Sequence, residues 1–117
     1  MEKDTYESIQ RELRKIEEEY EQNESMKKKI QTSEEDMQRT GALHIEYSKN
    51  QSIYWKRDAR MQFLLQEQQR IQYGMQKERT RFLEEGMEKM NKRRQELAEQ
   101  EEECYLRRRR LEEGGEN

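Results

Sequence analysis

Over the first 20 residues, apolar side chains recur at alternating spacings of three and four positions. The members of this ladder are Tyr6, Ile9, Leu13, Ile16 and Tyr20. Such heptad spacing is typical of a helix that packs one narrow stripe against another helix. The same register continues through Asn23, Lys27, Ile30, Glu34 and Met37. The predicted stripe therefore becomes polar in its middle. This break either sets register and partner choice or reflects a helix only half covered by its neighbour.

A second ladder runs through the other half of the chain in two registers. The first register has spacings close to an eleven-residue repeat. It comprises Leu64, Gln68, Ile71, Met75, Arg79, Phe82 and Gly86. The second register is a strict heptad made of Leu83, Met87, Met90, Arg94, Leu97, Glu101, Cys104, Arg108 and Leu111. The change of register predicts a local unwinding of any supercoil near Gly86, and we expect a bend or close approach at Gly74 and at Gly86.

Together the ladders predict an all-α protein, an elongated antiparallel helical hairpin that resembles a coiled coil. We place helices at about residues 3–47 and 53–112, with a turn at about 48–52, the most turn-like polar stretch of the chain. A bend near Gly41 is the alternative position for the turn. This arrangement makes residues 1–113 a single domain and 114–117 a flexible tail. The residues that we expect to pack between the helices are Tyr6, Ile9, Leu13, Ile16, Tyr20, Leu64, Ile71, Met75, Leu83, Met87, Met90 and Leu97.

Composition supports long helices and narrows the class of protein. The chain has no proline, and 44% of its residues are charged while only 29% are hydrophobic, so it cannot bury a broad core. Its formal net charge of −3 does not indicate nucleic acid or an anionic membrane as a target. It shows no apolar run long enough to span a membrane and no secretory signal at its start. We therefore expect a cytoplasmic protein, with co-export alongside a partner left open.

The side chains that could carry chemistry do not form a catalytic pattern. His44 and Cys104 are the single histidine and the single cysteine, too far apart for a usual zinc site. We predict no catalytic, metal-binding or cofactor-binding residue, and hence no enzyme. Cys104 lies on the second ladder and is interpreted as a small packing residue. The run from Arg107 to Arg110 is flanked by glutamates, which indicates a solvated helix end, with protein docking and nucleic-acid binding as alternatives.

An aromatic cluster near the middle of the chain is the predicted protein-binding site, formed by Tyr54, Trp55, Ala59 and Phe63. Trp55 and Phe63 lie eight residues apart, which places them on nearly one face of the predicted second helix. That face differs from the stripe that contains Leu64. An aromatic side chain left off the packing stripe suits a binding anchor. The alternative is a thicker core near the turn.

Two stretches of the chain carry a family resemblance. The first is Trp55-Lys56-Arg57-Asp58-Ala59-Arg60 followed by Phe63-Leu64-Leu65. The second is Glu96-Leu97, then Glu101 to Arg108, ending in Leu111. They resemble the small helical proteins that accompany LXG toxins in the type VIIb secretion system of Gram-positive bacteria. The resemblance implies a cytosolic targeting factor, or chaperone, that binds the helical LXG region of a toxin together with a second small helical protein.

The chain departs from the pattern of related export proteins at two points. A Trp-x-Gly turn is absent, because Trp55 is followed by Lys56 and Arg57. A Tyr-x-x-x-Asp/Glu export signal is absent after the second helix, because Tyr105 is followed four residues later by Arg109. The resemblance then implies that the toxin or the other partner presents the signal.

Two further functions compete with the targeting factor. The chain also resembles the hairpin stalk proteins of flagellar and type III export ATPases, which implies a structural coiled coil. A nucleic-acid-binding helix acting through the arginine run is the third reading, and the charge balance disfavours it. Self-association is compatible with all three.

Overall fold

The structure is a computed structural model that describes residues 4–114, and two α-helices account for most of that range. Helix α1 spans Tyr6–Tyr54, with 49 residues, and helix α2 spans Ala59–Gly114, with 56 residues. The predicted all-α helical hairpin is confirmed. The flexible tail predicted at 114–117 lies outside the described residues except for Gly114, which is the last residue of α2.

A reciprocal pair of hydrogen bonds marks the start of α1. The backbone N–H of Ser8 donates to Thr5 Oγ1 at 3.0 Å, and the backbone N–H of Thr5 donates to Ser8 Oγ at 2.9 Å. Each side chain thus satisfies a backbone donor that the first turn of a helix leaves without a partner. With no proline to interrupt it, α1 then runs without a break to Tyr54.

The turn between the helices lies at residues 55–58, so its predicted position at 48–52 was wrong, as was the alternative near Gly41. The Oδ1 atom of Asp58 accepts a hydrogen bond from the Met61 backbone N–H at 3.0 Å, which caps the N-terminus of α2. The polar stretch from Ser48 to Ser52 remains helical, and Ser48 is buried against α2 instead of marking a loop.

Contacts between the helices divide the described residues into two compact units, each of which contains part of α1 and part of α2. Unit 1 consists of residues 4–28 and 87–114, and unit 2 consists of residues 29–86. The sequence had indicated one domain over residues 1–113.

The apolar core of unit 1 follows the predicted ladders. Its buried members are Ile9, Ile16, Leu97 and Cys104, with Leu13, Tyr20 and Leu111 packed against them. Full burial of one such aliphatic side chain stabilises a fold by about 1.5–3 kcal/mol, so a few residues carry most of the packing energy. Met87 and Met90 are half-buried in the same seam. Tyr6, predicted to pack, is exposed, and its hydroxyl donates to Glu112 Oε1 at 2.6 Å.

Polar contacts in unit 1 hold the two helices antiparallel. Arg107 bridges Asp4, which precedes α1, and Glu12 of α1, with a closest distance of 2.7 Å to each carboxylate. Further along, Arg93 pairs with Glu19. Asn23 is buried in the seam and donates from Nδ2 to the Met90 carbonyl oxygen at 2.9 Å. The N-terminal part of α1 therefore lies beside the C-terminal part of α2 in this unit.

In unit 2 the seam between the helices is largely polar. Gln62 Nε2 donates to the Ser52 carbonyl oxygen at 2.8 Å. The side-chain amide of Gln76 lies against Gly41, so a larger residue at position 41 would clash with that amide. The buried apolar residues of this unit are Ile30 and Leu65.

The helices of unit 2 approach closely at Gly86. A methyl group built on Gly86 would lie 3.3 Å from Ile30 Cδ1, so Gly86 is the close-approach point that the sequence indicated. No atom lies within 4 Å of the same position at Gly74, which faces open space in the described structure. Of the two glycines inside α2, only Gly86 therefore contributes to packing.

The predicted packing of Leu64, Ile71 and Met75 was wrong, because all three are exposed. The heptad that starts at Leu83 continues backwards through half-buried Thr80 and Gln76, whose side chains reach α1. This register places the apolar ladder of residues 64–82 beside the seam with α1 and leaves its side chains exposed.

Candidate functional site

Exposed apolar and aromatic side chains collect at the turn between α1 and α2. Tyr54 is the last residue of α1 and is 73% exposed, and Phe63 in the second turn of α2 is 61% exposed. Ile53 and Ala59 are exposed beside them. We call Ile53, Tyr54, Trp55, Ala59 and Phe63 the turn cluster. Such side chains gain about 1.5–3 kcal/mol each when a partner buries them fully.

Trp55 lies in the turn itself and not in α2. Its indole Nε1 donates to Gln51 Oε1 at 3.2 Å, and its ring meets Tyr54 edge-on with centroids 4.9 Å apart. The prediction that Trp55 and Phe63 share one helical face does not hold, because α2 begins only at Ala59. Trp55 is half-buried and orders the turn, so the exposed aromatic faces of the cluster belong to Tyr54 and Phe63.

Basic side chains surround the turn cluster. Lys56, Arg57 and Arg60 are all exposed, whereas the one acid of the turn, Asp58, is engaged as the cap of α2. Arg and aromatic residues together are typical of protein-binding surfaces. The cluster thus presents an apolar centre with a positively charged rim, which complements an apolar and acidic partner surface.

A second exposed apolar surface runs along α2 within unit 2. We call Leu64, Ile71, Met75 and Phe82 the α2 stripe; they are between 48% and 75% exposed. Isolated exposed apolar residues are ordinary on a protein surface. Here four of them follow one another along a single helix face, which is the pattern of a helix-binding stripe. The sequence identified these positions as a stripe, but the prediction that the stripe packs against α1 was wrong.

A groove of about 1130 Å³ lies between α1 and α2 in unit 2. Its lining includes Met37, His44, Ile45, Met75, Gln76 and Phe82. The Nε2 atom of His44 is buried, and no hydrogen-bond partner for it lies within residues 4–114. The polar seam therefore leaves unit 2 with less apolar packing than unit 1.

The single cysteine and the acidic residues near it occupy structural positions. Cys104 is buried in the core of unit 1, and burial raises the pKa of its thiol. Its Sγ donates to Glu12 Oε2 at 3.4 Å. Over the described residues, no group of three or more His, Cys, Asp or Glu side chains is arranged to hold a metal ion.

The arginine run divides into paired and exposed members. Arg107 is bound by two carboxylates, and its hydrogen bonds with Glu12 and Asp4 raise its pKa above the ordinary value. Arg108 lies over the ring of Tyr105, 5.1 Å from its centroid. Arg109 and Arg110 are exposed. The ion pairs of Arg107 make the first arginine of the run a structural contact within unit 1.

Comparison with protein-family models, with curated proteins and with solved structures finds no match to this chain. Neither helix, over the described residues, contains a stretch that is long and apolar enough to cross a membrane.

Proposed function

We propose that this protein is a non-enzymatic adaptor that binds a helical protein partner through the turn cluster. The observation that carries the proposal is the exposure of Tyr54 and Phe63 beside a basic rim, at a turn whose backbone is held in place by the Asp58 cap. Aromatic anchors on a preorganised backbone are the residues that dominate binding energy at protein interfaces.

The partner that fits this surface has an apolar stripe bordered by acids. A helix meets these needs with few contacts, because its apolar side chains at successive turns can cover Tyr54 and Phe63 while its flanking acids meet Lys56, Arg57 and Arg60. The resemblance to small proteins that accompany LXG toxins names one such partner, the helical LXG region of an exported toxin. On this proposal the protein acts in the cytoplasm as a targeting factor, beside a second small helical protein, before type VIIb export.

Co-expression with the LXG region of a toxin from the same genome tests the proposal. The full chain should co-purify with that region by affinity capture and elute with it on gel filtration. The double change Tyr54→Ser with Phe63→Ser should abolish co-purification while circular dichroism of the free protein stays helical. Both side chains are largely exposed, so their loss removes little packing within the chain.

A matched control removes two exposed apolar residues from unit 1. Tyr105→Ser with Leu106→Ser alters side chains of similar kind that are 44% and 43% exposed and lie far from the turn in sequence. This variant should bind the LXG region as well as the parent does. Failure of the parent to bind would reject the LXG region as the partner. Equal loss of binding in both variants would reject the turn cluster as the specific site.

A further inference from the structure

We infer that the α2 stripe is a self-association surface on which the α2 helices of two copies pack antiparallel, about a two-fold axis near residue 73. This inference uses residues other than the turn cluster and does not depend on the proposed adaptor function. It assigns a role to the apolar ladder that the sequence placed inside the hairpin and that the structure leaves uncovered.

The exposed face of α2 has the spacing of a second seam. Its positions alternate four and three residues apart and comprise Leu64, Gln68, Ile71, Met75, Glu78 and Phe82. All six are exposed in unit 2, while α1 covers the positions on another side of the helix, such as Leu65 and Leu83. A heptad seam of this kind is what one helix offers to another in a coiled coil.

The seam matches itself when one copy is reversed. In an antiparallel pair the layers bring Leu64 opposite Phe82 of the second copy and Ile71 opposite Met75 of the second copy. The polar layer brings Gln68 opposite Glu78 of the second copy, where the amide can donate to the carboxylate. Each of these contacts occurs twice around the axis, as an isologous interface requires.

The charged residues beside the seam match in the same register. Glu67 falls opposite Arg81 of the second copy, and Gly74 falls opposite its own equivalent at the axis. Glu67 is half-buried and pairs with Arg70 of its own helix at 2.8 Å, so its carboxylate would be shared between Arg70 and Arg81 of the second copy; Arg81 is exposed, and Gly74 has open space around it. The pair forms twice, and the absence of a side chain at Gly74 lets the two helices approach at the axis.

The parallel orientation lacks this match. It would place Glu78 beside Glu78 of the second copy within the seam, and like charges at such a position are destabilising. It would also separate Glu67 from Arg81 of the second copy, so that this ion pair could not form. The charge pattern therefore selects a second, antiparallel copy of this chain as the occupant of the stripe.

Sedimentation of the full chain over a range of concentrations tests the inference. The parent should form a dimer, and Ile71→Asp should raise its dissociation constant by about a hundredfold or more, because a charge would enter the apolar seam. Tyr73→Asp is the matched control, since Tyr73 is also exposed but projects from the opposite side of α2. It should dimerise like the parent. A parent that stays monomeric, or one whose dimer tolerates Ile71→Asp, would overturn the inference.

Charge exchange tests the orientation separately. Glu67→Arg alone and Arg81→Glu alone each place like charges opposite each other twice, and each should weaken its own dimer by about tenfold. Mixing the two variants should form a heterodimer with the affinity of the parent, because each like-charge contact becomes an ion pair. Both variants retain the apolar stripe, so a change in association reports on the exchanged charges. A mixture that associates no better than either variant alone would refute the antiparallel register.

Discussion

Replacing Leu97 with alanine tests whether the core of unit 1 is as narrow as the structure shows. Leu97 is fully buried and packs in the cluster that contains Ile9, Ile16 and Cys104. Loss of its buried isopropyl group costs about 2–3 kcal/mol in transfer free energy, and the cavity adds to that cost. Because only two helices surround the site, neighbouring side chains and water can fill part of the cavity. We therefore expect a loss of about 3 kcal/mol in the free energy of unfolding.

Urea denaturation followed by circular dichroism at 222 nm measures that loss. The matched control is Leu64→Ala, which deletes the same atoms from a residue that is 50% exposed in α2. We expect the control to change the free energy of unfolding by less than about 1 kcal/mol, since much of its surface already meets water. The measurement should use dilute protein, so that association through the α2 stripe does not contribute. If Leu64→Ala costs as much as Leu97→Ala, the register of α2 described here is incorrect.

Three further perturbations test the polar and backbone features. Asn23→Leu should raise the free energy of unfolding in urea by about 1–2 kcal/mol, because Asn23 is buried with Oδ1 unpartnered within the described residues; a lower free energy of unfolding would show that its bond to Met90 outweighs this cost. Hydrogen bonds from Arg107 hold the pKa of Glu12 below its ordinary value, so the stability they add is present above the unfolded pKa and is lost as pH falls through the folded one. Thermal melts from about pH 6 to pH 3 should fall less steeply for Glu12→Gln than for the parent; equal slopes would contradict this linkage. Gly74→Ala should stabilise dilute protein by about 0.5–1 kcal/mol, since the added methyl meets open space in a helix interior; destabilisation would show that the position is covered.

The sequence predicted the first helix and the core of unit 1 because the heptad pattern there is both regular and apolar. The α1 seam from Ile9 to Met37 is buried or half-buried at every predicted position. The second-half ladder from Leu83 to Leu97 is buried or half-buried at its apolar positions, whereas its one charged member, Arg94, is exposed. The prediction that Cys104 is a packing residue is confirmed by its burial in this core.

The turn and the α2 stripe could not be predicted from hydrophobicity alone. Ser48 looked like part of a loop because it is polar, but it lies on the inner face of α1. The signal that was missed is Asp58, a residue type that favours helix N-caps. In unit 2 the inner face of α2 carries Gln76 and Thr80, so the more apolar side of that helix is the outer one. Continuing the strict heptad backwards from Leu83 would have identified Thr80 and Gln76 on the inner face but not Leu65, because the next positions of that heptad, from Tyr73 to Gln66, are exposed.

Hydrogen exchange measured by mass spectrometry tests the adaptor function most directly. The full chain would be compared alone and in the presence of an excess of the LXG region. The account predicts that backbone amides around the turn, at about residues 50–65, exchange more slowly in the complex, while those of the unit 1 core around Ile16 and Leu97 are unchanged. Slower exchange confined to unit 1, or no change anywhere when the LXG region is added, would contradict docking at the turn cluster.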